Sequence, residues 1–142
     1  MANEIYNTQD VIDSRDVIER IEELEAEKQE LLDDIEEADE EDAPEIKEEL
    51  ITWTDQYGEE LEALKKLAKD GEDYAPDWIY GAGLIHEDYF TEYCEELCKD
   101  IGDIPQELPW YIANHIDWDG VADEIKADYT EIDFDGATYY VR

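Results

Sequence analysis

A chain of 142 residues suffices for one ordinary domain or two very small units. Its 45 Asp and Glu against 10 Lys and Arg give a formal net charge of −35, where a small domain ordinarily carries a magnitude of about 2–8. That charge disfavours direct binding to nucleic acid or to an anionic membrane, and 4 Trp with 10 Tyr argue against a disordered acidic tail.

Such an excess repels itself and destabilises the compact state. Halophilic solvation or a cationic partner would offset the cost. No stretch is apolar enough to span a membrane, and MANEIYNTQD lacks the basic and apolar regions of a signal peptide. A cytoplasmic protein is expected. Cys94 and Cys98, the only cysteines, sit four apart on one predicted helix and read as reduced thiols.

Residues 1–13 read as a flexible lead-in. Ser14 is the expected N-cap of a first helix, with Asp16 and Glu19 near its first turn. Val17, Leu24, Leu31 and Ala38 recur every seventh residue, and Ile21, Lys28 and Ile35 interleave with them, a heptad seam. The helix is predicted to run to Asp42, where Asp42-Ala43-Pro44-Glu45 breaks it and starts another. The second helix carries Leu50, Tyr57 and Leu64 in one set and Ile46, Trp53 and Leu67 in the other, and Asp70-Gly71 is predicted to end it. Residues 14–71 therefore read as an antiparallel helical hairpin.

Residues 72–142 read as a separate small α+β unit. A strand is expected near Trp78–Tyr80, a helix from His86 to about Asp100, and a turn-rich connector around Pro105 and Pro109. Short helices follow at Trp110–His115 and Trp118–Lys126. Asp135-Gly136 joins the β-prone runs Thr130–Phe134 and Ala137–Val141, a strong hairpin signal. The fold class is α+β.

The charge is unevenly spread. Residues 14–42 hold 15 acids and 3 bases, a net of −12. Over roughly 42 Å of helix, that is about one charge per 3.5 Å, close to the roughly 3.4 Å of a single DNA strand. Residues 72–142 add 19 acids and 3 bases.

Motifs for chemistry fail on their residues. Asp117-Trp118-Asp119-Gly120 lacks a third oxygen ligand before the Gly and a terminal bidentate Glu, so it is no calcium loop. His86 and His115 lack metal-helix spacing. Gly81-Ala82-Gly83 has no following Lys to serve a phosphate loop. No catalytic residue, metal ligand or cofactor is assigned.

Tyr89-Phe90-Thr91-Glu92-Tyr93, then Gly102-Asp103-Ile104-Pro105-Gln106-Glu107-Leu108, then Tyr111 to Ala122 resemble the C-terminal domain of ArdA-type antirestriction proteins, over about residues 85–142. The resemblance implies an elongated acidic mimic of double-stranded DNA from a phage or mobile element. Such mimics are typically dimeric and occupy the DNA groove of type I restriction–modification enzymes. The helical hairpin departs from that family's pattern of further small α/β domains.

The expected function is thus non-enzymatic: occupation of the DNA cleft of a basic host defence protein. The first-helix carboxylates expected to carry it are Glu19, Glu22, Glu23, Glu30, Asp33, Asp34, Glu36 and Glu37. Those on the C-terminal unit are Glu92, Glu95, Glu96, Asp123, Glu124 and Asp128. An inhibitor of a CRISPR-type complex or another DNA-binding protein would use the same physics. An adaptor pairing its hairpin seam with a partner helix is a separate alternative.

Overall fold

The computed structural model describes residues 4–142, so the first three residues of the expected lead-in lie outside the described residues. Strand β1 (Val11–Asp13) leads into helices α1 (Ser14–Glu37) and α2 (Ala43–Tyr74). One helical turn, α3 (Trp78–Gly81), leads to β2 (Gly83–His86). Helices α4 (Phe90–Asp100), α5 (Trp110–Ala113) and α6 (Trp118–Lys126) precede the hairpin β3 (Thr130–Phe134) and β4 (Ala137–Val141). The sheet is antiparallel with strand order β1-β2-β4-β3. The fold is α+β.

Strand alternation divides the interior. Ile12, Leu84, Tyr139, Val141, Ile132 and Phe134 face the hairpin and join Val17, Leu24, Trp53, Leu61, Leu64 and Leu67 in one core. Ile85 and Tyr140, opposite each other in register, face the other way and meet Phe90 and Cys94 of α4 and Ala122 of α6. The result is three layers: hairpin, sheet, and the α4–α6 pair. The hairpin leaves and re-enters the sheet between two neighbouring strands, so it shares one core with the strands that close the chain.

The lead-in is not loose where it is described. Ile12 is completely buried and Ile5 nearly so. The buried Tyr139 hydroxyl donates to the Gln9 carbonyl at 2.7 Å, and Asn7 donates to the Asp135 carbonyl at 2.9 Å. A buried phenol needs an acceptor, and the N-terminal segment supplies it. Among residues 11–13 only Ile12 faces the core, too short a signal for a strand to be read from sequence.

The N-cap of α1 is Asp13, not Ser14. The Asp13 carboxylate accepts from Arg15 N–H at 2.9 Å and from the Arg15 guanidinium at 2.7 and 3.1 Å. Those bonds hold the Asp13 carboxyl below the usual carboxylate range. Ser14 is fully buried and clasps α3: its hydroxyl donates to the Trp78 carbonyl and accepts from Ala82 N–H, both at 2.6 Å.

Helix α1 stops at Glu37, short of Asp42, because the Asp39 carboxylate takes the N–H groups of Glu41 and Asp42 at 3.1 and 3.0 Å into a turn. Acidic residues also oppose the dipole at a helix C-terminus. At the other end, α2 runs through Asp70-Gly71 to Tyr74. Gly71 is a packing glycine, since a β-carbon there would strike the six-membered ring of Trp78. Trp78–Tyr80 is accordingly a helical turn, and the strand lies at Gly83–His86. His86 ends that strand and does not start α4; its Nδ1 accepts from Asp88 N–H at 3.1 Å. The hairpin turn falls on Asp135 (φ 49°) and Gly136 (φ 86°), the two left-handed residues of a type I′ turn.

Candidate protein-binding surface

Helix α1 buries one stripe and offers the other to solvent. Val17 and Leu24 are completely buried, and Ile18, Ile21 and Leu31 pack at the edge of the same core. At about 100° per residue, the eight α1 candidates fall within roughly 160° of arc opposite that stripe. Glu19, Glu22, Glu30, Asp33, Asp34, Glu36 and Glu37 are all exposed. Val17, Ile21, Leu24 and Leu31 of the seam that an adaptor reading needs are turned inward to this core.

Glu23 is drawn partly inward. Its carboxylate lies 3.6 Å from Arg20, whose guanidinium forks onto Glu60 of α2 at 3.0 and 3.1 Å. The bond to Glu60 raises the Arg20 pKa further, so this cation stays charged and ties the helices together. Glu27 accepts from the Trp53 indole at 3.1 Å, and Glu25 lies 3.4 Å from Lys65. These contacts fix α1 against α2 without using the outer face.

The helix is less densely charged than expected. Residues 14–37 hold 11 acids and 3 bases. Spread over about 36 Å, that is roughly one net charge per 4.5 Å, sparser than one DNA strand. The rest of the expected density sits in the tip, Asp39-Glu40-Glu41-Asp42, all exposed. Residues 26–55, the outer half of the hairpin, hold 14 acids and 2 bases. Glu45, Glu48 and Glu49 of α2 belong to this half and line a shallow groove of about 340 Å³ with Thr52. The run Asp39–Asp42 was the sequence signal for this tip.

On the C-terminal half, Glu92, Glu96, Asp123, Glu124 and Asp128 are exposed and Glu95 is half-buried. Several are engaged. Glu95 lies 3.4 Å from Lys99, Asp123 lies 3.5 Å from Lys126, and Glu96 accepts from the Tyr89 hydroxyl at 3.0 Å. That bond to Glu96 raises the Tyr89 pKa. Asp33 on α1 similarly accepts from Gln29 at 2.9 Å. Helices α4 and α6 cover the sheet face opposite the hairpin, so the two sets of carboxylates do not merge into one row.

Asp117, the first carboxylate of the Asp117-Trp118-Asp119-Gly120 run, caps α6 by accepting from Gly120 N–H at 3.0 Å. Among the described residues no group of three or more His, Cys, Asp or Glu side chains is arranged to hold a metal ion, and no helix is long and apolar enough to cross a membrane. The short helix expected at Trp110–His115 forms over Trp110–Ala113 and stands on the surface, with Trp110 74% exposed, Tyr111 58% and Ile112 46%. No family model, curated protein or solved structure matches the chain.

Proposed function

We propose that this protein is a DNA-mimic inhibitor: its acidic hairpin enters the Lys- and Arg-lined DNA cleft of a host defence enzyme. A type I restriction–modification complex is the target class that the resemblance of residues 85–142 implies. The observation that carries the reading is the outer hairpin half, 14 acids against 2 bases on a narrow two-helix arm. A cleft built to neutralise phosphates is attracted to such an arm over long range. The binding itself is non-catalytic and needs no cofactor. The site is protein-facing; neither nucleic acid nor membrane is a direct partner.

The test is a displacement assay. A labelled duplex is bound to a purified type I restriction–modification enzyme at low ionic strength, and the full chain is added. Competitive release of the duplex, weakening as salt is raised, is the expected result. A duplex that stays bound while the chain is in large excess overturns the reading.

A further inference from the structure

The connector between α4 and α6 carries one of the exposed apolar runs of the surface; Ile79 and Tyr80 of α3 form another. Trp110, Tyr111 and Ile112 are consecutive, all exposed, and no residue of α5 is buried. The Trp110 and Tyr111 rings stand edge to face, 5.7 Å apart at 84°, which leaves an L-shaped aromatic corner open to solvent. Residues 100–119 contain five carboxylates and neither Lys nor Arg.

Elsewhere this chain places its own cations over four of its rings, Tyr57, Phe90, Tyr129 and Tyr140. Arg20 lies over Tyr57 at 5.9 Å, Lys126 over Tyr140 at 5.0 Å, and Arg142 over Tyr129 at 6.0 Å. Among the described residues no such cation is placed over Trp110 or Tyr111. An exposed Trp face is the strongest of the side-chain cation acceptors, and Trp and Tyr are typical interface anchors. An acidic surround raises the local concentration of cations and rejects anions.

We infer that Trp110 and Tyr111, on a segment that holds Asp103, Glu107 and Asp117 and neither Lys nor Arg, form a docking point for an arginine side chain on the surface of a basic protein partner. Arginine fits better than lysine because its planar guanidinium stacks on a ring and sheds water more readily. This inference rests on the proposed function, in that it presumes a basic partner. It assigns to the connector a preference for arginine beyond the one that bidentate pairing gives the surrounding carboxylates.

The experiment uses the full chain and two synthetic peptides of equal length and charge, one of arginines and one of lysines, titrated calorimetrically at low ionic strength. The arginine peptide is expected to bind roughly two- to fivefold more tightly. In the double variant Trp110→Leu, Tyr111→Leu, which keeps apolar bulk and removes both π faces, that preference should shrink, with arginine-peptide affinity falling more than lysine-peptide affinity. A preference that is undiminished in the double variant, or equal affinities in the parent chain, overturns the docking point alone. If neither peptide binds, the proposed function fails with it. Sedimentation of the chain by itself separates the remaining occupant: dissociation of a dimer by the double variant would assign the corner to a second copy and overturn the inference.

Discussion

Gly71 and Trp78 are in direct contact: the six-membered ring of Trp78 lies against the Gly71 α-carbon so closely that a β-carbon has no room. Trp78 is almost completely buried, so its ring has nowhere to retreat. This contact lets α2 continue past a residue that ordinarily ends helices, and it seats α3 beneath the hairpin. Gly71→Ala gains about 0.5–1 kcal/mol of helix preference and loses more to overpacking, which ordinarily costs about 1–3 kcal/mol and here acts on a rigid indole. The variant is expected to be less stable by about 2 kcal/mol in urea unfolding. A more stable variant would mean that the ring does not hold this position.

The Ser14 hydroxyl has two buried partners, the Trp78 carbonyl and the Ala82 N–H. Ser14→Ala leaves both of them short of a bond, at about 1–3 kcal/mol for each unsatisfied group. The expected loss is about 2–3 kcal/mol, above the roughly 1 kcal/mol of a lost N-cap. Ser14→Asp separates the two roles. A capping role would tolerate Asp, whereas this site would bury a carboxylate that cannot donate to Trp78. Chemical denaturation of both variants decides it, with the Asp variant expected to be the less stable.

The contrast between these positions marks what was legible in the sequence. The β3–β4 turn was readable because Asp135-Gly136 is a local device, and the structure puts both residues at positive φ. The hairpin seam was readable because a period of seven survives twenty residues of helix. Gly71 was misread because its role depends on a Trp seven residues ahead, a tertiary contact that overrides local propensity. Strand β1 was missed because its partner β2 begins some seventy residues later and only Ile12 faces the core. The outward face of α1 followed from the seam. That Glu92 and Glu124 lie across the sheet from Glu30 followed only from the strand order.

Burial pushes the Tyr139 hydroxyl up to about 12, with a smaller contribution from Asp10. Burial likewise takes Tyr129 to about 12, helped by its bond to Tyr93. The ordinary value for each is 10.0, so both groups are neutral in the fold where an unfolded chain would ionise. Stability from these groups is fully present below about pH 10 and is lost as pH rises through about 12. For the fully buried Tyr139 the linked free energy is about 2–3 kcal/mol. Melting curves across that range should show alkaline destabilisation, and ultraviolet titration should show Tyr129 and Tyr139 ionising late. Ionisation of all ten near pH 10 in the folded chain would contradict the burial.

Cys94 is completely buried, and its thiol is pushed up to about 11 by desolvation, with Cys98 adding to the rise. The thiolate is the reactive form. In the folded chain at neutral pH, alkylation is expected at Cys98 first, with Cys94 modified only at the rate of unfolding. Mass spectrometry of a time course resolves the two sites. Equal labelling rates without denaturant would place Cys94 nearer the surface than it lies here.

The separation of the two carboxylate sets across the sheet makes the hairpin's part in binding testable. Reversing one exposed carboxylate changes little, since single surface charges contribute about 0–1 kcal/mol. A fourfold reversal, Glu30→Lys, Asp33→Lys, Asp34→Lys and Glu37→Lys, shifts the net charge of the arm by eight without touching the buried seam. It is expected to abolish displacement of duplex DNA from a type I restriction–modification enzyme. The matching fourfold set on the opposite face, Glu92→Lys, Asp123→Lys, Glu124→Lys and Asp128→Lys, should reduce displacement only by the general loss of charge. Raising salt should narrow the difference between the two variants, because their charges act through solvent. If the α4–α6 set proves the more damaging, the hairpin is a strut and the binding face lies on the other side of the sheet.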